Sequence, residues 1–250
     1  MIPIFIITCN RIEVLKKSMQ SYHDCIKTPF EIVICDQGST FKPMIEFLEK
    51  LESDGTIVNR WKENLNIGRE RNLRRDDVGL SENIQDYFKN HPKSNYIVCD
   101  PDIFLDHVDG DILEVYTHLL NIMPEIVAVG SVCRIDDIPD CYPLKEKVLS
   151  LKGKSGHARA FLNPRHTISY KGKLVEYIFD KIDTGFGMFR AGTRWQRMNK
   201  GIKAIRTFAP YSTKHLDWYI CPENLSEDQR YYMQHASKNA HWSKWEDNHG

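Results

Sequence analysis

Short apolar runs that end in polar residues, with amphipathic stretches between them, constrain this chain most. Residues 2–7 (IPIFII) run straight into polar residues, and residues 30–35 (FEIVIC) end at the turn-forming segment 36–40. Between these runs, apolar residues recur at helical spacing from Val14 to Tyr22. A short apolar run, an amphipathic helix and a second apolar run are typical of a β-α-β unit. The beginning of the chain therefore predicts parallel strands.

The same alternation continues further along the chain. Residues 43–51 predict a second amphipathic helix and residues 56–61 a third strand, and residues 111–123 predict a long helix between apolar strands at 96–99 and 126–132. Alternating strands and helices favour an α/β fold with a doubly wound, mostly parallel sheet flanked by helices. Such sheets bind ligands beyond the carboxyl ends of their strands, so the polar residues after each strand are the candidates for function.

Length and charge limit the class of protein. The chain has 250 residues and no internal repeat or low-complexity linker, which predicts a single domain over 1–250. Its 34 basic and 34 acidic residues cancel, so no overall positive field favours nucleic acid or an anionic membrane. The opening apolar run is too short to span a bilayer, and no transmembrane segment is predicted there.

The cysteines indicate a reducing environment. There are seven, an odd number, and they are widely scattered, with several inside apolar runs where a thiol serves as a small hydrophobic group. No C-x-x-C pair is present, which argues against a structural zinc site. This pattern predicts free thiols in a soluble, cytoplasmic protein.

Two aspartates, Asp100 and Asp102, directly follow the predicted strand at 96–99. Carboxylates at that position can hold a hard divalent cation that also contacts diphosphate oxygens. The alternative is that these residues are ordinary turn or helix-capping aspartates.

Four segments, in order, resemble the GT-A glycosyltransferases, particularly the broad family 2 type: residues 8–11 (TCNR), 36–39 (DQGS), 66–72 (NIGRERN) and 100–102 (DPD). Each stands at a predicted strand end or helix start. The resemblance implies a GT-A fold in which residues 1–105 bind a nucleotide-diphospho-sugar donor and residues 106–250 bind the acceptor.

The resemblance also implies the residues that bind the donor. These are Thr8, Asn10, Arg11, Asp36, Gly68, Arg71 and Asp100. Asp36 would accept hydrogen bonds from the base or ribose, and Arg71 would approach the phosphates or base. Asp100 and Asp102 would bind the metal.

The second half of the chain supplies the remaining candidates. Asp183, in the segment 183–189 (DTGFGMF), resembles the acceptor-side carboxylate of these enzymes and would be the catalytic base or the anchor of the acceptor hydroxyl, unless it only caps a strand. His215 would be a further metal ligand, and an imidazole nitrogen favours Mn²⁺ over Mg²⁺. Asp217 is the alternative base, and Trp218 is a candidate to stack on a sugar.

Basic residues cluster in two places, around residues 152–165 and 190–206. The first cluster lies in a glycine-containing segment, 151–165, that we predict to be a surface segment able to close over the diphosphate. Both clusters would otherwise be solvated surface, balanced by acidic residues elsewhere.

These observations predict a metal-dependent glycosyltransferase that moves a sugar from a nucleotide-diphospho-sugar to a hydroxyl of a glycan or glycoconjugate. UDP is favoured as the nucleotide, GDP stays open, and the resemblance leans towards inversion of the anomeric configuration.

One alternative is a glycosyltransferase acting on hydroxymethylated bases in DNA, which the zero net charge disfavours. A nucleotidyltransferase would need a glycine-rich basic loop after the first strand, which is missing. The remaining alternative is a catalytically silent sugar-binding protein of the same fold.

Overall fold

The computed structural model describes residues 1–62, 79–151, 157–182, 185–195, 203–236, 242, 243 and 245. Gly68, Arg71 and Asp183 lie outside these residues, so their roles stay predictions.

The strands are β1 (Ile2–Thr8), β2 (Phe30–Asp36), β3 (Ile57–Arg60), β4 (Tyr96–Cys99), β5 (Ile103–Phe104), β6 (Ala128–Ser131), β7 (His166–Tyr170), β8 (Lys173–Phe179), β9 (Gly187–Phe189), β10 (Ala204–Thr207) and β11 (Lys214–His215). The α-helices are α1 (Ile12–Cys25), α2 (Lys42–Ser53), α3 (Leu80–Asn90), α4 (Ile112–Ile122), α5 (Lys145–Leu149) and α6 (Glu227–His235). Short 3₁₀ helices cover His157–Leu162, Leu216–Tyr219 and Pro222–Asn224.

One large sheet organises the described residues, with strand order β3-β2-β1-β4-β9-β6-β10-β8-β7. β1 to β4, β6, β7 and β10 run in one direction, and β8 and β9 run in the other. The sheet is therefore mixed and mostly parallel, and helices flank it. The predicted α/β class is confirmed.

Helices cover both faces of the sheet because successive residues of a strand point to opposite sides. In β1, Ile4 and Ile6 join the core cluster that contains the buried stripes of α1, α2 and α4. Phe5 and Ile7 join the opposite cluster, which contains Leu80 and Ile84 of α3. Burial on both faces explains why this strand reads as a continuous apolar run in the sequence.

The hairpin of β7 and β8 is an element that the sequence analysis did not predict. It forms the outer edge of the sheet, and its two-residue turn consists of Lys171 and Gly172, with φ of 49° and 80°. Two consecutive left-handed residues are typical of the turns that join tightly paired antiparallel strands. The Lys-Gly pair between two runs of β-forming residues was the available signal. The 3₁₀ helix His157–Leu162 likewise lies within the segment predicted as an irregular surface segment.

The cysteine prediction is wrong for one pair. Cys141 and Cys221 form a disulfide that joins residues 80 positions apart, with their Cα atoms separated by 5.1 Å. The other five cysteines, Cys9, Cys25, Cys35, Cys99 and Cys133, are not part of a disulfide. The spacing of cysteines along a chain does not indicate which of them the fold brings together, so this pair had no signal in the sequence. The cytoplasmic location stays a prediction.

No helix in the described part of the chain is long and apolar enough to cross a membrane.

A small second sheet brings two distant segments of the candidate site together. β5 and β11 pair in antiparallel fashion, with His215 opposite Ile103 and Lys214 opposite Phe104. Ile103 directly follows Asp102, and the backbone N–H of Leu216 donates to the carbonyl of Asp102 over 2.7 Å. This register carries a late segment of the chain to the residues that follow β4.

Candidate functional site

The residues after β1 and β2 form a closed hydrogen-bond network, which we call the strand-end network and define as Asn10, Asp36, Ser39 and Thr40. Thr8 and Asp36 are paired in register at the carboxyl ends of the two strands. The backbone N–H of Asn10 donates to Ser39 Oγ over 2.8 Å, and Asn10 Oδ1 accepts from the backbone N–H groups of Thr40 and Phe41 over 2.7 and 2.8 Å. The side chain of Asn10 thereby ties the first loop to the start of α2.

The carboxylate of Asp36 is also occupied within this network. Its two oxygens accept from the hydroxyl and the backbone N–H of Ser39, over 2.5 and 3.1 Å. Burial raises the pKa of Asp36, against the hydrogen bonds from Ser39 that favour the carboxylate. Asn10 and Asp36 were predicted to bind the nucleotide. In the structure both are buried and their side-chain oxygens already have protein partners.

A second group, the acid–arginine cluster, consists of Arg11, Asp102, His215 and Asp217. Arg11 directly precedes α1, Asp102 follows β4, His215 ends β11 and Asp217 lies in the next 3₁₀ helix. The Arg11 guanidinium forms a two-pronged ion pair with Asp217 and lies 3.6 Å from Asp102 Oδ2. His215 Nδ1 lies 3.7 Å from the same Asp102 oxygen. All four residues are at most 8% exposed.

The electrostatics of the cluster follow from two buried carboxylates sharing one arginine. Burial, and then the proximity of Asp217, raise the pKa of Asp102 to about 8, with Arg11 opposing both effects. Burial also acts to raise the pKa of Asp217, but Arg11 and His215 outweigh it and lower that pKa. Burial acts to lower the pKa of Arg11, and the two carboxylates overcome it, so that pKa is raised. Arg11 and Asp217 are therefore the charged pair, and Asp102 is the carboxyl that lacks full compensation.

The cluster has the ligand atoms that a divalent cation requires. One ligand atom from each of Asp102, His215 and Asp217 lies within 4.8 Å of the others. Asp102 Oδ1 is buried and has no hydrogen-bond partner among the described residues. A buried acceptor without a partner is costly unless something else binds it, and two carboxylates with an imidazole suit Mn²⁺. These residues fit the predicted metal.

The structure does not bring together every residue predicted for the metal. Asp102 and His215 lie side by side, and Asp100 is outside the group of three. Asp217, predicted as an alternative base, stands in that group instead. Its lowered pKa and its bonds to Arg11 and to Ser243 Oγ leave it a weak proton acceptor. Trp218, predicted to stack on a sugar, is fully buried, with its ring stacked on His215.

Helix α6 covers both groups, and its residues were not among those predicted for the site. Tyr232 of α6 lies over the Arg11 guanidinium, 4.4 Å from carbon to ring centroid. Tyr231 hydrogen-bonds Thr40 over 2.9 Å, and Asp228 accepts from the backbone N–H of Glu13 in the first turn of α1 over 3.0 Å. A carboxylate is favourable at a helix N-terminus. The Ser-x-x-Gln capping box at residues 226–229 was a signal for α6, but none existed for its contacts.

Comparisons with known proteins give structural matches only. No protein-family model and no curated protein matches the sequence. The mannosyltransferase PcManGT from Pyrobaculum calidifontis, in complex with GDP-Man and Mn²⁺, is similar over 54% of this chain and 36% of its own, with 16% identity and a TM-score of 0.37. S. aureus TarS 1–349 in complex with UDP-GlcNAc is similar over 56% of this chain and 37% of its own, with 14% identity and a TM-score of 0.38.

Glucosyl-3-phosphoglycerate synthase from Mycobacterium tuberculosis, in complex with phosphoglyceric acid, is similar over 59% of this chain and 49% of its own, with 14% identity and a TM-score of 0.34. This chain therefore spans about a third to a half of the length of the three proteins. The likeness concerns part of the fold alone.

Proposed function

We propose that the chain is a metal-dependent glycosyltransferase that transfers a sugar from a nucleotide-diphospho-sugar, UDP-sugar in preference, to a hydroxyl of a glycan or glycoconjugate. The observation that carries this proposal is the acid–arginine cluster at the carboxyl end of β4, beside the ends of β1 and β2. Ligands of α/β sheets bind at that edge. Two carboxylates, an imidazole and a guanidinium there can bind a divalent cation and a diphosphate together.

Asp102, His215 and Asp217 would hold the cation. When bound, the ion would act as a Lewis acid that neutralises negative charge developing on the departing diphosphate. Mn²⁺ is favoured over Mg²⁺ because one of the three ligands is an imidazole nitrogen. The protein's contribution is a buried, pre-arranged ligand set. Asp102, with Oδ1 unpaired, would be its principal member.

Arg11 would bind the donor's phosphates. Its guanidinium is held in place by Asp217 and by the ring of Tyr232, and its Nε–H has no acceptor among the residues described. A fixed, permanently charged guanidinium is well suited to phosphate oxygens. We assign Asp217 to orienting Arg11 and to the cation, and we leave the role of base to Asp183.

The nucleoside would lie against the ends of β1 and β2. The strand-end network fixes the backbone there, and Thr8 Oγ1 is a buried hydroxyl that finds no partner in the described part of the chain. Thr8 is therefore the residue of this region whose side chain is available to a ribose or base. Asp36 would contribute by holding the loop in shape, and would bind the nucleoside directly only if Ser39 released it.

Calorimetric titration tests the donor site. UDP and GDP are titrated separately into the protein with and without Mn²⁺, and into the Asp102→Asn variant. We expect one nucleotide to bind only when Mn²⁺ is present, and that binding to be lost in the variant. Asp24→Asn is the control for removing a carboxylate, since Asp24 is exposed on α1 and lies outside the ligand group. Absence of binding of either nucleotide with any divalent metal would refute the proposal.

Turnover separates an enzyme from a silent sugar-binding protein. Slow hydrolysis of the bound nucleotide-sugar without an acceptor, measured by release of free UDP or GDP, is expected of a glycosyltransferase. Tight, metal-dependent binding with no release of nucleotide over many hours would support the silent alternative.

A further inference from the structure

Trp218 carries a polar group that the proposed reaction does not yet use. Its side chain is completely buried, and the indole Nε1–H has no hydrogen-bond acceptor among the described residues. Buried N–H groups are almost always paired, and leaving one unpaired lowers the stability of the fold. This donor belongs to a residue that stacks on His215 of the candidate site, and its lack of a partner there requires an explanation.

The ring is held firmly beside the predicted metal ligand. Trp218 stacks on His215 with 4.9 Å between ring centroids and 4° between planes. His157 and Trp242 meet it edge to face, at 4.6 and 5.8 Å. Asp217, the preceding residue, is fixed by Arg11 and Ser243. With both its rotamer and its backbone constrained in this way, the indole cannot easily turn to find another acceptor.

An indole N–H restricts the chemistry of its partner. It is a donor only, with no lone pair, so it cannot bind a cation and must pair with an acceptor such as an oxygen. Arg11 Nε is a second donor lacking an acceptor in the described residues, and Asp102 Oδ1 is an acceptor in the same condition. Two unpaired donors and an unpaired carboxylate oxygen, on residues of the cluster and on the tryptophan that stacks on its histidine, match a ligand that presents oxygens together with a cation.

We propose that Trp218 is a donor-binding residue whose indole N–H binds an oxygen of the diphospho-sugar portion of the nucleotide-sugar. This inference rests on the proposed function. It changes the role predicted for the residue, because the flat face that would stack on a sugar is already covered by His215. An edge-on contact with the ring of His157 is the competing use of the N–H, and such a contact is weaker than a bond to oxygen.

Nuclear magnetic resonance observes the indole directly. The chain has five tryptophans, so ¹⁵N labelling of tryptophan gives five indole N–H signals, and the one missing from Trp218→Phe identifies Trp218. Mg²⁺ replaces Mn²⁺ to avoid paramagnetic broadening, and UDP and UDP-glucose are the probes. We expect the Trp218 signal to move downfield and its hydrogen exchange to slow when the nucleotide binds. An unmoved signal with nucleotide bound would overturn the inference.

Calorimetry measures how much the Trp218 N–H contributes to the affinity for the nucleotide. Trp218→Phe should weaken nucleotide binding about tenfold, the value of one hydrogen bond, while the affinity for Mn²⁺ alone is unchanged. Trp245→Phe, in the same apolar cluster, controls for lost volume. If Trp218→Phe does not fold, 3-benzothienylalanine at position 218 replaces the N–H with sulfur at nearly the same size.

The outcomes distinguish the two proposals. If Trp218→Phe loses the same factor of affinity for UDP and for UDP-glucose, the oxygen bound by the indole N–H belongs to the phosphates. If the variant loses affinity for UDP-glucose alone, that oxygen belongs to the sugar. Both support the inference. A parallel loss of Mn²⁺ affinity would show that Trp218 only positions His215, and unchanged affinity would show that its N–H is not used. Either result overturns the inference and leaves the proposed function standing. A wild-type chain that binds neither UDP nor GDP with any divalent metal would refute both.

Discussion

The strand-end network and the acid–arginine cluster lie at the same edge of the sheet but differ in how their polar groups are paired. In the network, the side-chain oxygens of Asn10 and Asp36 accept hydrogen bonds from backbone N–H and hydroxyl groups of the neighbouring loop. In the cluster, Asp102 Oδ1 and Arg11 Nε have no such partner among the described residues, and two carboxylates share one guanidinium. The first arrangement serves the stability of the loops. The second leaves bonding capacity for a ligand at a cost in stability.

The largest expected effect comes from removing the shared guanidinium. Arg11→Ala should lower the free energy of unfolding by about 3–5 kcal/mol, because two buried carboxylates would lose their compensating charge. Urea unfolding monitored by circular dichroism measures it. Restoring part of the loss in the double variant Arg11→Ala, Asp217→Asn would locate the cost in the unpaired carboxylate. A double variant no more stable than Arg11→Ala would mean that lost packing, and not charge, dominates.

The second largest effect is expected for Asp102→Asn, which should weaken metal binding without lowering stability. Asp102→Asn should reduce Mn²⁺ affinity about 100-fold or more, since it removes a charged ligand. It should leave the thermal midpoint equal to or above that of the wild type, because one of two crowded carboxylates is gone. Calorimetry and thermal unfolding without metal measure the two quantities. A marked loss of metal-free stability would break the comparison, because Asp102 would then be structural like Asn10.

The converse is expected in the strand-end network. Asn10→Ala should lower the free energy of unfolding by about 2 kcal/mol, because the N–H groups of Thr40 and Phe41 lose their acceptor, and should leave Mn²⁺ affinity unchanged. Asn10 has φ of 54°, a left-handed conformation that asparagine and glycine tolerate better than alanine.

Two variants divide this loss into its causes. Asn10→Gly removes the side-chain bonds but keeps the backbone conformation, and Asn10→Asp keeps an acceptor oxygen. We expect Asn10→Asp to be the most stable of the three variants by urea unfolding. If Asn10→Asp is as unstable as Asn10→Ala, the hydrogen bonds from Thr40 and Phe41 are not what the side chain contributes.

The smallest effect concerns the surface beside β11. Lys214 Nζ lies 2.7 Å from carboxylate oxygens of both Asp106 and Asp137. Burial acts to raise the pKa of Asp137, but Lys214 and Tyr219 outweigh it and lower that pKa. A lowered folded-state pKa adds stability that is present above the unfolded value of about 3.8 and is lost as the pH falls through the folded value.

Asp137→Asn should therefore lower the thermal midpoint slightly at pH 7 and have a smaller effect near pH 2, where more of the wild-type carboxyl is protonated. Exposed ion pairs contribute at most about 1 kcal/mol, so the shift should be a few degrees or less. Thermal unfolding at the two pH values measures it, with Asp140→Asn as a more exposed control. An equal shift at both pH values would show that the effect is not one of charge.

Local patterns in the sequence were sufficient for most of the fold. The apolar runs of β1, β2 and β4 and the amphipathic stretches of α1, α2 and α4 are confirmed, because burial on one or both faces leaves a period that can be read along the chain. The β7–β8 hairpin was missed because its exposed, mixed residues carry little of that period. The disulfide between Cys141 and Cys221 was missed because pairing over 80 residues has no local signature.

The sequence by itself determined that carboxylates would follow the strands at one edge of a sheet, and its resemblance to a known family made Asp100, Asp102 and His215 the candidates for one cation. Only the tertiary structure decided that Arg11 and Asp217 lie beside Asp102 and His215, and that Trp218 is buried with its ring stacked on His215. Arg11 and Asp217 are 206 positions apart, and they meet because β1 lies beside β4 while β11 pairs with β5. A residue's type and local pattern follow from its neighbours in the chain, whereas its partners in a site follow from strand pairing between distant segments.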